Sequence, residues 1–412
     1  MRPAFFLRHF NDVDHIAPIM WRCLERGDDV HAILLDTNYP AAEDPRLGFL
    51  TDYDRFHLEY VDSFLDMEWA SQLFALGQPD GHSPANPAVK YLRKGLQKVR
   101  IASRLVTPTL AELDPSVCVF EWSSPHRTSH HEFFEAATAL DIPTVCVPHG
   151  LNIYLNEDIT PGRKKAFEQG KQTMTSRNGY DAYVTQSEYD KQQGGSLGVD
   201  PNIHYVRGST RYYPEWQAIN EDLYEGYSPP VDDTEKLKIV FMLPHWRYYV
   251  DRESTLQLIS ELADRDWLHL VVKEHTRGDC LPQELDDRLV QQDNTDVIAD
   301  VSSVSLIKWA DTVINFGSSI GIEALLQDVF HVNPSYLHAN RTIFDETEAG
   351  HQPASNEESM ETIEAIHHGE LEPVPEANKR ELYRTVIYGG KDEHDVPEAY
   401  RELIAQFASA SY

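Results

Sequence analysis

The sequence is poor in cysteine: Cys23, Cys118, Cys146 and Cys280 stand far apart and form no Cys-x-x-Cys pair. That spacing argues against a disulfide framework and against a cysteine-built zinc site, and it suits a reducing compartment. Cys23, Cys118 and Cys146 fall in apolar stretches and are expected to be buried. No apolar run approaches the roughly 20 residues that a membrane span needs. The opening Met1-Arg2-Pro3-Ala4-Phe5-Phe6-Leu7-Arg8-His9 has too short an apolar run for a signal peptide, so a cytoplasmic protein is expected. Also lacking is a Gly-x-Gly-x-x-Gly turn after the first strand, at Asn11-Asp12, which disfavours a dinucleotide dehydrogenase.

Positive charge is scarce as well. Lys and Arg total 36 against 67 Asp and Glu, for a formal net charge of −31. Only 13 of the basic residues are lysine. A field of that sign repels phosphate backbones, so no nucleic acid partner is expected. The surplus is spread along the chain, and both a halophilic origin and an ordinary acidic protein fit it. A small anionic ligand stays compatible, because a Debye length of about 8 Å lets a few local cations outweigh distant charge.

What is present fits two folded domains of about 150–200 residues each. The chain has 412 residues, 41% of them hydrophobic and 10% aromatic, which argues against disorder. A strand over Phe5–Phe10, a helix capped by Asp12 or Asp14 and carrying Ile16, Ile19, Met20, Cys23 and Leu24 at helical spacing, and a strand over Val30–Leu35 open the chain. Pro18 is expected in the first turn or so of that helix, and Gly27 at its end. Further strands are predicted at 117–122, 143–147, 182–186 and 203–206, with a helix over 131–140. After a polar linker at 221–236, with its Pro-Pro pair, come strands at 239–243, 268–273, 297–300, 312–316 and 330–333. The expected fold is α/β: a Rossmann-like N-terminal domain over 1–225, a second, nucleotide-binding one over 226–355, and a helical segment over 356–412 packing back on both.

In open parallel sheets ligands bind at the carboxyl ends of strands. Three such ends in the second half are unusually polar: Pro244-His245-Trp246-Arg247, then Lys273-Glu274-His275-Thr276-Arg277, then Gly317-Ser318-Ser319-Ile320-Gly321-Ile322-Glu323. The last puts hydroxyls and backbone N–H groups at the start of an apolar helix, where a phosphate is well received; the plainer alternative is that Ser318 or Ser319 caps that helix. Lys273, His275 and Arg277 can supply cations to a diphosphate, and Arg247 with Trp246 can stack on or neutralise a nucleotide. Their bland alternatives are a solvated charged turn and a surface salt bridge.

These runs, with Asn315-Phe316 ahead of Gly317, resemble the C-terminal half of bacterial surface and capsular polysaccharide transferases of the GT-B superfamily, the group that includes the CDP-glycerol glycerophosphotransferases. Pro148-His149-Gly150 and Gly208-Ser209-Thr210-Arg211-Tyr212 with Trp216 resemble motifs of their N-terminal half, and the likeness spans roughly residues 115–345. It implies a GT-B fold of two Rossmann-like domains facing a cleft, a nucleotide-activated sugar donor and a glycan acceptor. It also implies His275, Ser318 and Ser319 near the phosphates, Glu323 on the ribose, and Arg211 in the donor set. Thr276 departs from the proline often found in that family after the matching histidine. The resemblance also implies that neither metal nor cofactor is needed, since in such transferases a helix dipole and basic groups stabilise the leaving diphosphate. The runs Asp12-Val13-Asp14, Asp52-Tyr53-Asp54 and Asp264-Arg265-Asp266 fit chance in so acidic a chain.

A transferase needs a base for the acceptor hydroxyl. His149, after a strand and before a glycine, is the first choice, with Asp12 and Glu121 as competitors and a structural, hydrogen-bonded histidine as the alternative. Residues 86–111 carry Lys90, Arg93, Lys94, Lys98, Arg100 and Arg104 without an acid. Pairing with acidic neighbours inside the protein is the expectation there, and peripheral contact with the inner membrane face or an anionic polymer the alternative. The function expected is glycosyl transfer to a cell-surface polysaccharide. A UDP-sugar 2-epimerase of the same architecture is the rival, and a non-catalytic two-lobed sugar-binding protein the third reading.

Overall fold

The computed structural model describes residues 1–66, 101–126, 130–156, 159–171, 173–229, 235–275 and 279–409. Arg277 and most of the basic stretch 86–111 lie outside the described residues. The chain forms two compact units. The first comprises Met1–Leu151, Thr173–Trp216 and Arg384–Tyr412, and the second Asn152–Gln172 and Gln217–Tyr383. The division is less linear than the sequence reading. The segment after β5 crosses into the second unit, and the last residues return to the first.

The first unit is a seven-stranded, fully parallel sheet. Its strands are β1 (Pro3–Leu7), β2 (Val30–Leu34), β3 (Phe56–Tyr60), β4 (Val117–Glu121), β5 (Thr144–Val147), β6 (Ala182–Thr185) and β7 (His204–Val206). They are ordered β3-β2-β1-β4-β5-β6-β7. Every residue of β1, β4, β5 and β6 is buried, as expected for a parallel sheet covered on both faces. Phe6 stacks on Phe120 with ring centroids 4.9 Å apart, and Phe133 of the covering helix His131–Ala139 lies 4.7 Å from Phe6. Burying each such ring stabilises the unit by about 1.5–3 kcal/mol.

The second unit is a five-stranded parallel sheet ordered β10-β9-β8-β11-β12. Its strands are β8 (Leu237–Met242), β9 (Leu268–Lys273), β10 (Thr295–Ile298), β11 (Thr312–Ile314) and β12 (Phe330–Val332). The helix Asn356–His367 packs on the helix Arg252–Ala263 in this unit. The last helix, Val396–Ser409, packs instead on Phe10–Glu25 of the first unit. There Tyr400 donates a hydrogen bond to the Gly208 carbonyl at 2.8 Å.

The α/β class and, among the described residues, eleven of the twelve strands follow the sequence pattern. β3 was not foreseen, although Phe56-His57-Leu58-Glu59-Tyr60 alternates apolar and polar residues, with His57 and Glu59 exposed on this edge strand. The first strand also ends earlier than expected. The Asp12 carboxylate accepts the Arg8 backbone N–H at 2.7 Å, so the helix starts at Phe10 and Pro18 falls in mid-helix. Gly27 follows that helix with a φ of 76°, a left-handed conformation that favours glycine. The expected linker begins inside a helix, Pro214–Leu223. Among the described residues no helix is long and apolar enough to cross a membrane.

Candidate functional site

Strand order decides which strand ends meet. β1 lies beside β4 and β4 beside β5, so the residues leaving their carboxyl ends are neighbours: Arg8, Glu121 and His149. Arg8 is buried, with its Nη2 3.0 Å from the Glu121 carboxylate and its Nε 3.2 Å from Asp12. Glu121 is fully buried and accepts a hydrogen bond from the Ser123 backbone N–H at 3.0 Å. The Nδ1 atom of His149 faces the same carboxylate closely, and Nδ1 of His130 lies 3.3 Å from its other oxygen. Asp12, Glu121 and His149 thus form one cluster.

Burial alone would oppose ionising Glu121, but His149, His130 and Arg8 outweigh it and hold the carboxyl well below the usual range. For Arg8, burial opposes the charge, yet Asp12 and Glu121 raise its pKa further. His9 lies 3.6 Å from Asp12 but is pushed down by burial. His149 differs from the rest in being 27% exposed. Its ring stands edge-on to Trp122 and to His9, with centroids 6.2 and 6.4 Å away. With Nδ1 turned to Glu121, ring geometry turns Nε2 away from it. An imidazole oriented in this way by a carboxylate, with its second nitrogen turned outward, has the geometry of a proton-transfer group. Both oxygens of Asp12 face Arg8. Of the three base candidates brought together, His149 is therefore the partly exposed one, and the other two are fully buried and ion-paired.

Arg211 departs from expectation. Its Nη1 is 2.9 Å from buried Asp14, which also takes the buried Arg46 guanidinium at 2.5 Å. This residue belongs to the first unit and is ion-paired there with Asp14. The motif around it has a packing role too. Gly208 has a φ of 86°, and a Cβ on it would lie 1.9 Å from the Ile387 carbonyl oxygen. That approach lets Ser209 donate its N–H to Ile387 at 2.9 Å.

In the second unit the three polar strand ends do sit on adjacent strands, since β8 lies between β9 and β11. His245 stacks on His275 with centroids 5.0 Å apart and sets its Nδ1 on Asp279. Ser318 is exposed, and Ser319 takes the cap position of the short helix Ile320–Leu326. The Ser318 carbonyl accepts from Asn315 Nδ2 at 3.0 Å, fixing the turn. Arg247 is exposed over the Tyr248 ring, 5.3 Å from its centroid, while Trp246 is met by Arg252 rather than Arg247. Two expected contributors are turned inward. Lys273 is buried, with its Nζ on the Ala299 carbonyl, so its cation ties the end of β9 to the turn after β10. Desolvation lowers its pKa against the pull of Asp300 and Glu274. Glu323 is fully buried, which is not the surface position a ribose contact implies.

A small cleft opens beside these ends, lined by Tyr154, His245, Tyr248, Phe316, Gly317 and His338 among others. Tyr154 stacks on Tyr248 at 5.6 Å and donates its hydroxyl to the Gly317 carbonyl. Asn340 Nδ2 bonds the carbonyls of Tyr248 and Ile159 at 2.8 and 3.1 Å, holding the 152–172 segment to this unit. Sequence reasoning missed Tyr154, Tyr248 and His338. The aromatic pair Tyr248-Tyr249, directly after Arg247, was the one local signal.

No family model matches the chain, and no curated protein matches it in sequence. Solved structures do match in fold. A UDP-GlcNAc 2-epimerase from Neisseria meningitidis superposes with a TM-score of 0.59 at 13% identity, covering 98% of this chain and 100% of that one. The UDP-GlcNAc 2-epimerase from Methanocaldococcus jannaschii gives 0.57 at 14% identity, covering 98% and 100%. The lipopolysaccharide outer core galactosyltransferase WaaB gives 0.50 at 10% identity, covering 98% and 99%. Likeness at these identities establishes the fold: the chain has the GT-B architecture.

Proposed function

We propose that this chain is an enzyme acting on a nucleotide-activated sugar. In this reading the polar strand ends of the second unit bind the nucleotide diphosphate, with His275, Ser318, Ser319 and Arg247 as the contributing groups. The first unit supplies acid–base chemistry through His149, held by Glu121. The observation that carries the proposal is the meeting of Arg8, Glu121 and His149 at three adjacent strand ends. It is an ion-paired carboxylate behind a partly exposed imidazole, at the edge where α/β sheets bind ligands.

Two reactions use such a pair. In 2-epimerisation the imidazole moves a proton at the carbon next to the anomeric centre. The fold likeness to UDP-GlcNAc 2-epimerases over nearly the whole chain supports this as the first reading. In glycosyl transfer the imidazole takes the proton of an acceptor hydroxyl. The order of the short motifs, Pro148-His149-Gly150 through Ser318-Ser319, supports this second reading, as does the fold likeness to a galactosyltransferase. Asp12, locked to Arg8, and Glu121, fully buried, act as positioning groups in either case.

One experiment separates them. The protein is incubated with UDP-GlcNAc in D2O, with and without glycan acceptors. Deuterium entering C2 together with a new epimer identifies the first reaction. Nucleotide released only when acceptor is present identifies the second. Turnover of either kind that survives His149→Ala would refute the assigned role of the imidazole.

A further inference from the structure

A second cluster of ligating side chains lies in the first unit, at the opposite end of its sheet from Arg8, Glu121 and His149. β2 and β3 pair in parallel with His31 directly opposite His57. Cross-strand partners share a face, and a two-residue step puts Asp29 on the same face as His31. The two imidazoles stack with centroids 4.4 Å apart at an interplanar angle of 22°. Both turn Nε2 to one carboxylate: His57 is 2.8 Å from Asp29 Oδ1, and His31 is 3.9 Å from Asp29 Oδ2.

From this juxtaposition we infer a binding site for a divalent transition metal, built by Asp29, His31 and His57. Ligands at 2.0–2.2 Å from a tetrahedral ion stand about 3.3–3.6 Å apart. The two present separations bracket that spacing, so side-chain rotation alone makes room for an ion. Two imidazoles and one carboxylate select zinc, cobalt, nickel or copper over magnesium or calcium. The ion replaces the His57–Asp29 hydrogen bond, and water completes its shell. Arg2, whose Nε is 3.1 Å from Asp29 Oδ2, is 45% exposed and swings outward when the metal enters. Because β3 is the edge strand, the ion clips the edge to its neighbour, and its effect is on stability rather than on turnover.

The test uses the full-length chain without a histidine tag. Equilibrium dialysis against zinc chloride is expected to give one bound equivalent that magnesium does not displace. Zinc is expected to raise the melting temperature, and cobalt to give a visible ligand-field band. His31→Gln with His57→Gln is expected to weaken binding at least tenfold, whereas His149→Gln leaves the stoichiometry at one. Should the double variant misfold by circular dichroism, His57→Gln alone, at a position 42% exposed, reads the same loss. Undiminished zinc binding in the His31/His57 variants, loss of the equivalent in His149→Gln, or no binding by the wild type at 100 μM zinc (roughly −5.5 kcal/mol) overturns the inference.

Discussion

The strand ends of the two units carry polar residues in different ways. In the first unit the charges are buried and matched: Arg8 against Asp12 and Glu121, and Arg46 and Arg211 against Asp14. In the second, Ser318 and Arg247 face solvent, and the buried cation of Lys273 rests on a backbone carbonyl. A buried carboxylate among cations is costly to assemble but fixes the position and tautomer of the histidine it holds. Exposed hydroxyls and an exposed guanidinium fix little, yet they are free to meet an anionic ligand. The first arrangement suits proton transfer and the second suits binding.

Four measurements would break or sharpen that contrast. The largest effect is expected from Gly208→Ala. A Cβ there meets the Ile387 carbonyl at 1.9 Å in a left-handed conformation. The first unit should then lose more than about 4 kcal/mol, read as failed expression or a separate low-temperature melting transition. Next, Glu121→Gln removes one of the two carboxylates that face Arg8 and the carboxylate shared by His130 and His149. It should cost about 3–5 kcal/mol, with activity lost; chemical denaturation reads the first effect and turnover the second. His149→Ala should behave differently, lowering kcat by roughly 10²–10⁴-fold while the denaturation midpoint moves little. Equal loss of stability in these two variants would place His149 in the structural network rather than in the chemistry.

The smallest effect concerns a buried neutral group of the second unit. His331 is fully enclosed, near the carbonyls of Asn315 and Ala349. Burial pushes its pKa down to about 4, against the pull of those carbonyls. Its unfolded value is about 6.5, so between these limits the unfolded chain binds the extra proton. Stability is therefore full above about pH 6.5 and falls as acid is added, by about 3 kcal/mol at pH 4 from this residue. His31 and His204, also lowered to about 4, act in the same direction. Melting temperature against pH checks the sign: a flat profile between pH 6.5 and 4 would mean that these rings are protonated in the folded chain.

Much of the candidate site was legible in the chain. His149, Glu121 and Asp12 were singled out because each falls at or just beyond a predicted strand, and the structure gathers all three. Arg8, between Asp12 and Glu121, was passed over because nothing local marks it as the shared cation. Arg211 was read as a donor contact from the resemblance of its motif, and Lys273 from its charge at a strand end. What their charge meets, Asp14 in one case and the Ala299 carbonyl in the other, depends on residues far away or on an adjacent strand. Tyr154 was missed for a similar reason, since its segment leaves the first unit after β5 and joins the second.

By itself the sequence determined the alternation of strands and helices, the parallel sheets covered on both faces, and the polar residues at strand ends. Those features repeat within a few residues, and burial imposes them locally through periodicity. Tertiary structure alone decided that β1, β4 and β5 are neighbours, which cations are neutralised, and that residues 384–412 return to the first unit. Strand order and ion pairing join residues tens to hundreds of positions apart, and no local period encodes the partner.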